Sequence, residues 1–306
     1  MGFLNALFGR TVAEKRHNLV LTAYITMAFI LLLSVLLTVS LFVGGDNDRK
    51  EEEDSPASDV PSSRIVEYDY TETKKGSLLV INKSTAAYDF TLNPESDLVK
   101  ISDKIPSHNG TPVYSLRSDT ALANAEALDA LNRMISDYFE KNPDTAKKLT
   151  VRTAYRSYAA QEALNSSVGA GHSDFHTGML FELTPEGSAA SISLDTAYSW
   201  IYENAHKYGF IERYPEAKSS STGISDFDNA FRYVGEAHAT YMKANGLCLE
   251  EYVAHLQQNE GKTLSVGSFK ISYAKANNGG TTKINLPSRT AKVSGDNMGG
   301  FVISSK

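Results

Sequence analysis

The sequence predicts an α+β domain of roughly 240 residues behind one apolar N-terminal segment. Three observations carry this reading. Residues 19–43 form an uncharged apolar run. Beyond it, helix-period and strand-period segments follow one another without the regular strand–helix alternation of a doubly wound sheet. From residue 263 the pattern becomes that of short antiparallel strands.

Composition narrows the chemistry. The 306 residues carry a formal net charge of −6, which excludes a generally basic, nucleic-acid-binding surface. A hydrophobic content of 42% fills a core but is too low for a polytopic membrane protein. The single cysteine, Cys248, excludes a disulfide framework and any zinc site built from several thiolates. A metal would have to be held by the 7 histidines and 36 acidic residues.

The run at 19–43, LVLTAYITMAFILLLSVLLTVSLFV, exceeds the about 20 apolar residues of a bilayer span and the roughly 7–15 of a signal-peptide core. It reads as a single retained transmembrane helix. Arg10, Lys15 and Arg16 precede it, and Asp46, Asp48, Glu51, Glu52, Glu53 and Asp54 follow. The positive-inside rule then places residues 1–18 in the cytoplasm and the main domain outside, on the cell membrane. Residues 44–75 are expected to be a linker, its first twenty or so rich in charge, Pro and Ser and without apolar periodicity.

The elements follow in order. Residues 78–82 (LLVIN) and 111–115 (TPVYS) have strand composition. Over 121–139, Leu122, Leu128, Leu131, Ile135, Tyr138 and Phe139 recur at helical spacing with Asp129, Asn132, Arg133 and Asp137 between them. Residues 149–154 (LTVRTA) read as a strand, and 194–208 as a helix with Trp200 and Ile201 on its apolar face and Gly209 as its stop. A strand at 231–234, a helix at 237–245 ending at Gly246 and a helix at 249–256 come next. Val266, Phe269, Ile271 and Tyr273, a turn at 277–280, then Ile284, Leu286, Val293 and Val302 describe a small β appendage at 261–306 after a main domain at 76–260.

Several blocks carry a family resemblance: TAYRSYAAQ at 153–161, SDFHTG at 173–178, KYGFIERYP at 207–215, TGI at 222–224 and FRYVG at 231–235. With the flanks LLVINK at 78–83, LCLEEY at 247–252 and SGDNMGGF at 294–301, the chain resembles the VanY-like D-alanyl-D-alanine carboxypeptidases of bacteria, LAS metallopeptidases, over residues 76–304. The resemblance implies a small antiparallel sheet packed with helices around one zinc ion. It also implies a ligand set: His and Asp of Ser-x-His-x-x-Gly-x-x-x-Asp, the His closing Glu-Pro-Trp-His, and the Glu of that block as general base. Zinc with three protein ligands lowers the pKa of its bound water to about 7.

Laid on that pattern, Ser173 and Gly178 match, but Phe175 stands at the first His, Glu182 at the Asp, Ala230 at the second His and Phe227 at the base. Three of the four positions have no lone pair to offer. The segment between the two blocks, 162–172, is also shorter than the family's. His176 is one residue out of place, and His172, Asp174, Asp226 and Asp228 lie nearby in sequence, while His238 reads as a structural histidine within a helix. Arg156, Ser157, Gln161 and Ser173 match the residues that line the family's substrate cleft, where a guanidinium holds a peptide carboxylate without a metal. Arg156 could equally pair with a buried acid. The expected protein is a membrane-anchored pseudoenzyme of the peptidase fold, without metal cofactor, that binds peptidoglycan stem peptide or a cell-wall protein and no nucleic acid. The alternative is an active zinc carboxypeptidase with a relocated metal site.

Overall fold

Strand β1 (Arg64–Asp69) opens the described part of the chain, which in this computed structural model comprises residues 63–142, 148–188, 190–192, 197–225 and 227–306. The span expected at 19–43 lies outside these residues; among the described residues no helix is long and apolar enough to cross a membrane. The expected linker is shorter than 44–75. β1 pairs antiparallel with residues 281–286 of the tail, and a 3-10 turn at Tyr70–Lys74 follows, started by the side chain of Asp69 accepting the Thr71 N–H. Alternating Ile65, Glu67 and Val66, Tyr68 supply the strand period, and Val66 and Tyr68 pack on the tail's apolar cluster.

Residues 78–82 are not a strand. They run irregularly through the interior because their backbone partners come from residues 294–297 of the tail: Leu78 N–H donates to Ser294 Oγ (2.9 Å), Val80 N–H to the Asp296 carbonyl (3.1 Å), and Asn297 Nδ2 to the Val80 carbonyl (3.2 Å). Such pairing satisfies buried backbone groups without a neighbouring strand.

The central sheet contains β2 (Tyr114–Leu116), β3 (Leu149–Thr153), β4 (Leu180–Pro185), β5 (Phe210–Tyr214) and β6 (Phe227–Tyr233), in the order β2-β3-β4-β6-β5. It is mixed rather than wholly antiparallel, because β2 and β3 run parallel. The cause is helix α1 (Ala125–Lys141), a crossover that returns the chain to the same end of the sheet. Asn124 caps α1 by accepting the Ala127 N–H, and the helix buries Leu128, Leu131, Met134, Ile135 and Tyr138 along one stripe. Val151, Phe181, Leu183 and Phe231 face that stripe. By the period of two, Glu182 and Ala230 lie on the opposite face.

Short helices α2 (Tyr158–Ala163) and α3 (Ser199–Asn204) follow β3 and β4. Of the helix expected at 194–208, residues 194–196 lie outside the described residues; α3 continues as a 3-10 turn to Gly209. A Cβ on Gly209 would sit 2.7 Å from the Tyr233 ring, so both its positive φ of 86° and the close approach require glycine. Helices α4 (Glu236–Asn245) and α5 (Leu249–Gln258) come next. The tail forms β7 (Thr263–Val266), β8 (Phe269–Lys275), β9 (Thr281–Leu286), β10 (Lys292–Gly295) and β11 (Gly300–Ser305). Four of them make an antiparallel sheet, β7-β8-β11-β10, and β9 pairs with β1. Ile271 and Val302 share one core with Leu78, Val234, Met242 and Tyr252, so the tail is built into the domain rather than appended to it.

Asp296 anchors that union. Wholly buried, its carboxylate accepts from Met298 N (2.7 Å), Gly300 N (2.9 Å), Tyr273 Oη (2.9 Å) and Gln257 Nε2 (3.3 Å). Asp296→Ala is expected to cost about 3 kcal/mol or more, read as a lower urea midpoint. His238 is the matching feature between α4 and α5. Its Nδ1 and Tyr252 Oη are 2.7 Å apart, and burial, with a minor contribution from Lys292, holds its pKa down at about 3. The imidazole is neutral when folded, whereas the unfolded chain protonates it near pH 6.5. This contribution to stability is complete above that pH and is lost as the pH falls toward 3. Replacing His238 by Gln is expected to flatten the stability–pH slope between pH 6 and 4 by about 1.4 kcal/mol per pH unit; an unchanged slope would contradict the assignment.

Candidate functional site

The turn at Asp174–Thr177 delivers the chain to β4. Gly178 ends it with a φ of 66°, and a Cβ there would stand 2.9 Å from Leu98 Cδ2 and 3.0 Å from Asn124 N. Glycine is thus required both for the left-handed conformation and for the approach of α1's cap. Phe175, within the turn, is buried. Across the sheet Ala230 pairs with Glu182, and Phe231 with Phe181. Phe227, at the start of β6, lies opposite Tyr214 of β5. Phe175, Glu182, Phe227 and Ala230, distant in sequence, therefore meet on the sheet face turned away from α1.

That meeting point is apolar. Phe175, Leu180, Tyr214 and Ala230 form one buried cluster with Ile224 and Phe227 packed on it. The rings of Phe175 and Phe227 are 6.0 Å apart, and Phe227 stacks on Tyr214 at 5.8 Å and 14°. Phe227 is half-buried, at the rim, whereas Phe175 and Ala230 are covered. Glu182, the one carboxylate, is engaged: Arg152 Nη1 lies 3.2 Å from one oxygen and Thr153 Oγ1 donates to the other at 2.7 Å.

The residues expected to line the cleft lie alongside. Arg156 places its guanidinium 4.5 Å above the Phe175 ring and donates from Nη1 to Gln161 Oε1 (2.7 Å). Gln161 is buried and fixed by its own donations to Ser166 Oγ (3.0 Å) and the Val168 carbonyl (2.7 Å). Arg156 is thus not the partner of a buried acid. Ser157 caps α2, its Oγ accepting the Ala160 N–H at 3.2 Å. Ser173 is buried at the start of the turn, and its carbonyl accepts the His176 N–H.

Neighbouring polar groups are committed elsewhere. His176 is fully buried; Nε2 accepts the Gly171 N–H (3.0 Å), so Nδ1 carries the proton toward the Arg156 carbonyl (2.6 Å), and burial lowers its pKa. Neither ring nitrogen has a lone pair left for a metal. His172 Nδ1 lies 2.9 Å from the Asn82 carbonyl. Asp174 sits between Arg213 Nε (2.5 Å) and Arg232 Nε (3.0 Å), and Arg213 also grips Glu250 through both terminal nitrogens (2.9 and 2.7 Å). The two guanidinium charges hold the Asp174 carboxyl below its usual range against the opposing effect of burial. Asp226 and the side chain of Asp228 lie outside the described residues. Among the described residues no three His, Cys, Asp or Glu side chains are grouped to hold a metal ion. The donor set at the family's zinc position, one salt-bridged carboxylate among aromatic rings, does not fit zinc.

Sequence reasoning missed Arg152 and Thr153 as the partners of Glu182, and the Asp174–Arg213–Arg232 cluster. Alternation along β3 turns Arg152 away from buried Val151, which was a usable signal. The irregular step between Val151 and Thr153 in the β3–β4 pairing, which brings Thr153 opposite Glu182, has no sequence signature.

Known proteins resemble this chain in sequence and in fold. Residues 120–236 match the family described as VanY, D-alanyl-D-alanine carboxypeptidase. A D-alanyl-D-alanine carboxypeptidase of Enterococcus faecium is 28% identical over 239 residues, 75% of each chain. One from Enterococcus faecalis is 26% identical over 193 residues, 60% of this chain and 67% of that protein. The crystal structure of the vancomycin-resistance D,D-dipeptidase VanXYg superposes with a TM-score of 0.63 at 24% identity, covering 79% of this chain and 98% of that one, a likeness of fold. Residues 120–236, which hold the motif positions carried by β4 and β6, are therefore a domain of the VanY family, D-alanyl-D-alanine carboxypeptidase.

Proposed function

We propose that this protein is a zinc-independent member of its family, held at the membrane by residues 19–43, whose extracytoplasmic domain binds peptidoglycan stem peptide without cleaving it. The observation that carries the reading is the convergence of Phe175, Phe227 and Ala230 with a salt-bridged Glu182 where hydrolysis would need three ligands and a base. Without a general base at position 227 even the about 10²–10⁴-fold contribution of proton transfer is missing. The stem peptide as ligand follows from the D-Ala-D-Ala specificity named for the relatives.

Binding has a candidate anchor in Arg156. Gln161 and the Phe175 ring hold one edge and one face of its guanidinium, which reduces the rotamer freedom lost on gripping a carboxylate. The alternative of a relocated active metal site is not favoured, because His176, its obvious ligand, has both nitrogens engaged by backbone.

The full chain is expected to release no D-Ala from a stem pentapeptide, and its melting temperature is expected to be indifferent to chelator and to added zinc. Arg156→Ala should weaken stem-peptide binding about tenfold or more in calorimetry. Restoring the set together, Phe175→His, Glu182→Asp, Phe227→Glu and Ala230→His, should recover zinc affinity before turnover, since rate demands closer placement and support from surrounding groups. Robust wild-type hydrolysis, abolished by chelator and by His176→Ala, would reverse the reading.

A further inference from the structure

A groove of about 1010 Å³ runs past Thr177, Met179 and the end of β6, between α1, the first turn of α4 and the strands β10 and β11. None of Arg156, Phe175, Glu182, Phe227 and Ala230 lines it. We propose that this groove is a second binding site, for an uncharged N-acetylated saccharide chain, whose hydroxyl and acetamido groups meet polar atoms that the fold leaves without partners.

Those atoms are the first observation. Tyr88 and His238, at 9% and 5% exposure, are each more than nine-tenths buried, and both line the groove. Among the described residues the Tyr88 hydroxyl has no hydrogen-bond partner. His238 engages Nδ1 with Tyr252 Oη and leaves Nε2 without a partner. The partnerless side-chain atoms sealed from solvent among the described residues are His206 Nδ1 and Arg232 Nη2, so the two on the groove wall open into it. Polar groups this deeply placed are nearly always paired, and two orphans in one groove call for a bound partner. The first turn of α4 adds donors. Gly235 caps the helix with no side chain, so the N–H groups of Glu236, Ala237 and His238 have no partner either. Together with the hydroxyl they suit a ligand rich in oxygen acceptors, such as the carbonyl of an acetamido group.

Charge and backbone narrow the occupant further. Lys292 bonds Glu126, and Lys306 lies 5.3 Å from the Phe269 ring. Asp97, Asp129, Glu236 and Arg133, all lining the groove and exposed, form no ion pair among the described residues. Free groups of both signs in one groove disfavour a ligand of net charge of either sign. They suit a sugar, because a carboxylate accepts from two neighbouring hydroxyls and a guanidinium donates to two. Leu79, Met179 and Val234 offer an apolar wall to the C–H face of a pyranose ring. A peptide strand finds no ladder to join, since the backbone beside the groove is already paired: Gly295 N–H bonds the Lys75 carbonyl (2.7 Å), Asn297 N–H the Thr73 carbonyl (2.8 Å) and Leu78 N–H the Ser294 Oγ (2.9 Å). Recognition is left to side chains and to the helix end. The volume, at the upper end of ligand pockets, suits several sugar rings.

Titration calorimetry with the full chain in mild detergent tests this, using the tetrasaccharide of N-acetylglucosamine, its deacetylated cationic counterpart and maltotetraose, with a stem pentapeptide as competitor. The N-acetylated chain is expected to bind with an affinity indifferent to salt, and the other two about tenfold or more weakly. Tyr88→Phe removes a hydroxyl that bonds nothing in the protein, so it should weaken binding about tenfold while leaving the urea midpoint unchanged. Asp129→Ala combined with Glu236→Ala, both at exposed positions, should weaken it at least as much. Arg156→Ala and the stem pentapeptide should leave saccharide binding unchanged, so this site and the Arg156 cleft stand or fall separately. Absence of binding, equal binding of the three saccharides, a steep fall with salt, indifference to either the Tyr88 or the double variant, or loss in Arg156→Ala would overturn the proposal; the last would put the saccharide in the cleft instead.

Discussion

The carboxylate of Asp174 is the point on which this architecture turns. It bonds two guanidiniums, Arg213 from β5 and Arg232 from β6, and all three side chains are inaccessible to solvent. Arg213 extends the network to Glu250 at the start of α5. One turn, two strands and one helix are thereby tied through charge-assisted hydrogen bonds whose loss leaves charge buried, an error that costs about 3–5 kcal/mol. Two cations facing two acids need each other. The same turn carries Phe175 and leads into Glu182, so the network that secures the fold also fixes the positions of these two residues.

Charge and aromatic surface run on from there in a single stack. Arg213 lies 4.7 Å from the Tyr214 ring, Tyr214 stacks on Phe227, Phe227 meets Phe175, and Arg156 covers the far side. Each cation–ring contact is worth about 0.5–2 kcal/mol and each ring pair about 0.5–1.5. The space between these strands is occupied by groups that favour one another. Glu182, the carboxylate beside this cluster, is matched by Arg152, so its charge is balanced.

How much of this was legible in the sequence depended on whether a feature is local. The stripe Leu128, Leu131, Ile135 gives α1, and the alternation of Phe181 and Leu183 against Glu182 gives the two faces of β4. Motif spacing places Phe175, Glu182, Phe227 and Ala230 together; Phe175, Phe227 and Ala230 share one apolar cluster, and Glu182 pairs with Ala230 across the sheet. Contacts between separated segments were not legible. LLVIN has strand composition, yet its partners are the Ser294 side chain on β10 and the turn residues Asp296 and Asn297, so no ladder forms. TETKK, read as linker, is caught by the tail when Gly295 N–H reaches the Lys75 carbonyl. Nothing in the sequence of β2 says that it runs parallel to β3.

The frame and the chemistry of such a domain are separable because they rest on different faces of one sheet. The α1 face, with Phe181, Leu183, Phe231 and Val151, supplies apolar burial, and the cross-strand pairs of β4 and β6 set the register. Neither depends on what side chains stand at Glu182 or Ala230 on the other face. In small metal-nucleated domains the ion supplies the folding energy itself, and its ligands cannot be exchanged one by one. Here Asp174 and its two arginines, on the same face as Ala230, tie the strands beside the apolar cluster through bonds that do not involve Glu182. Substitutions there are limited by local packing and charge balance, conditions that Phe175, Phe227 and the Glu182–Arg152 pair meet. On the function proposed above, such a scaffold exchanges the side chains of one sheet face one by one while Arg156 and Gln161 stay bonded to each other beside it.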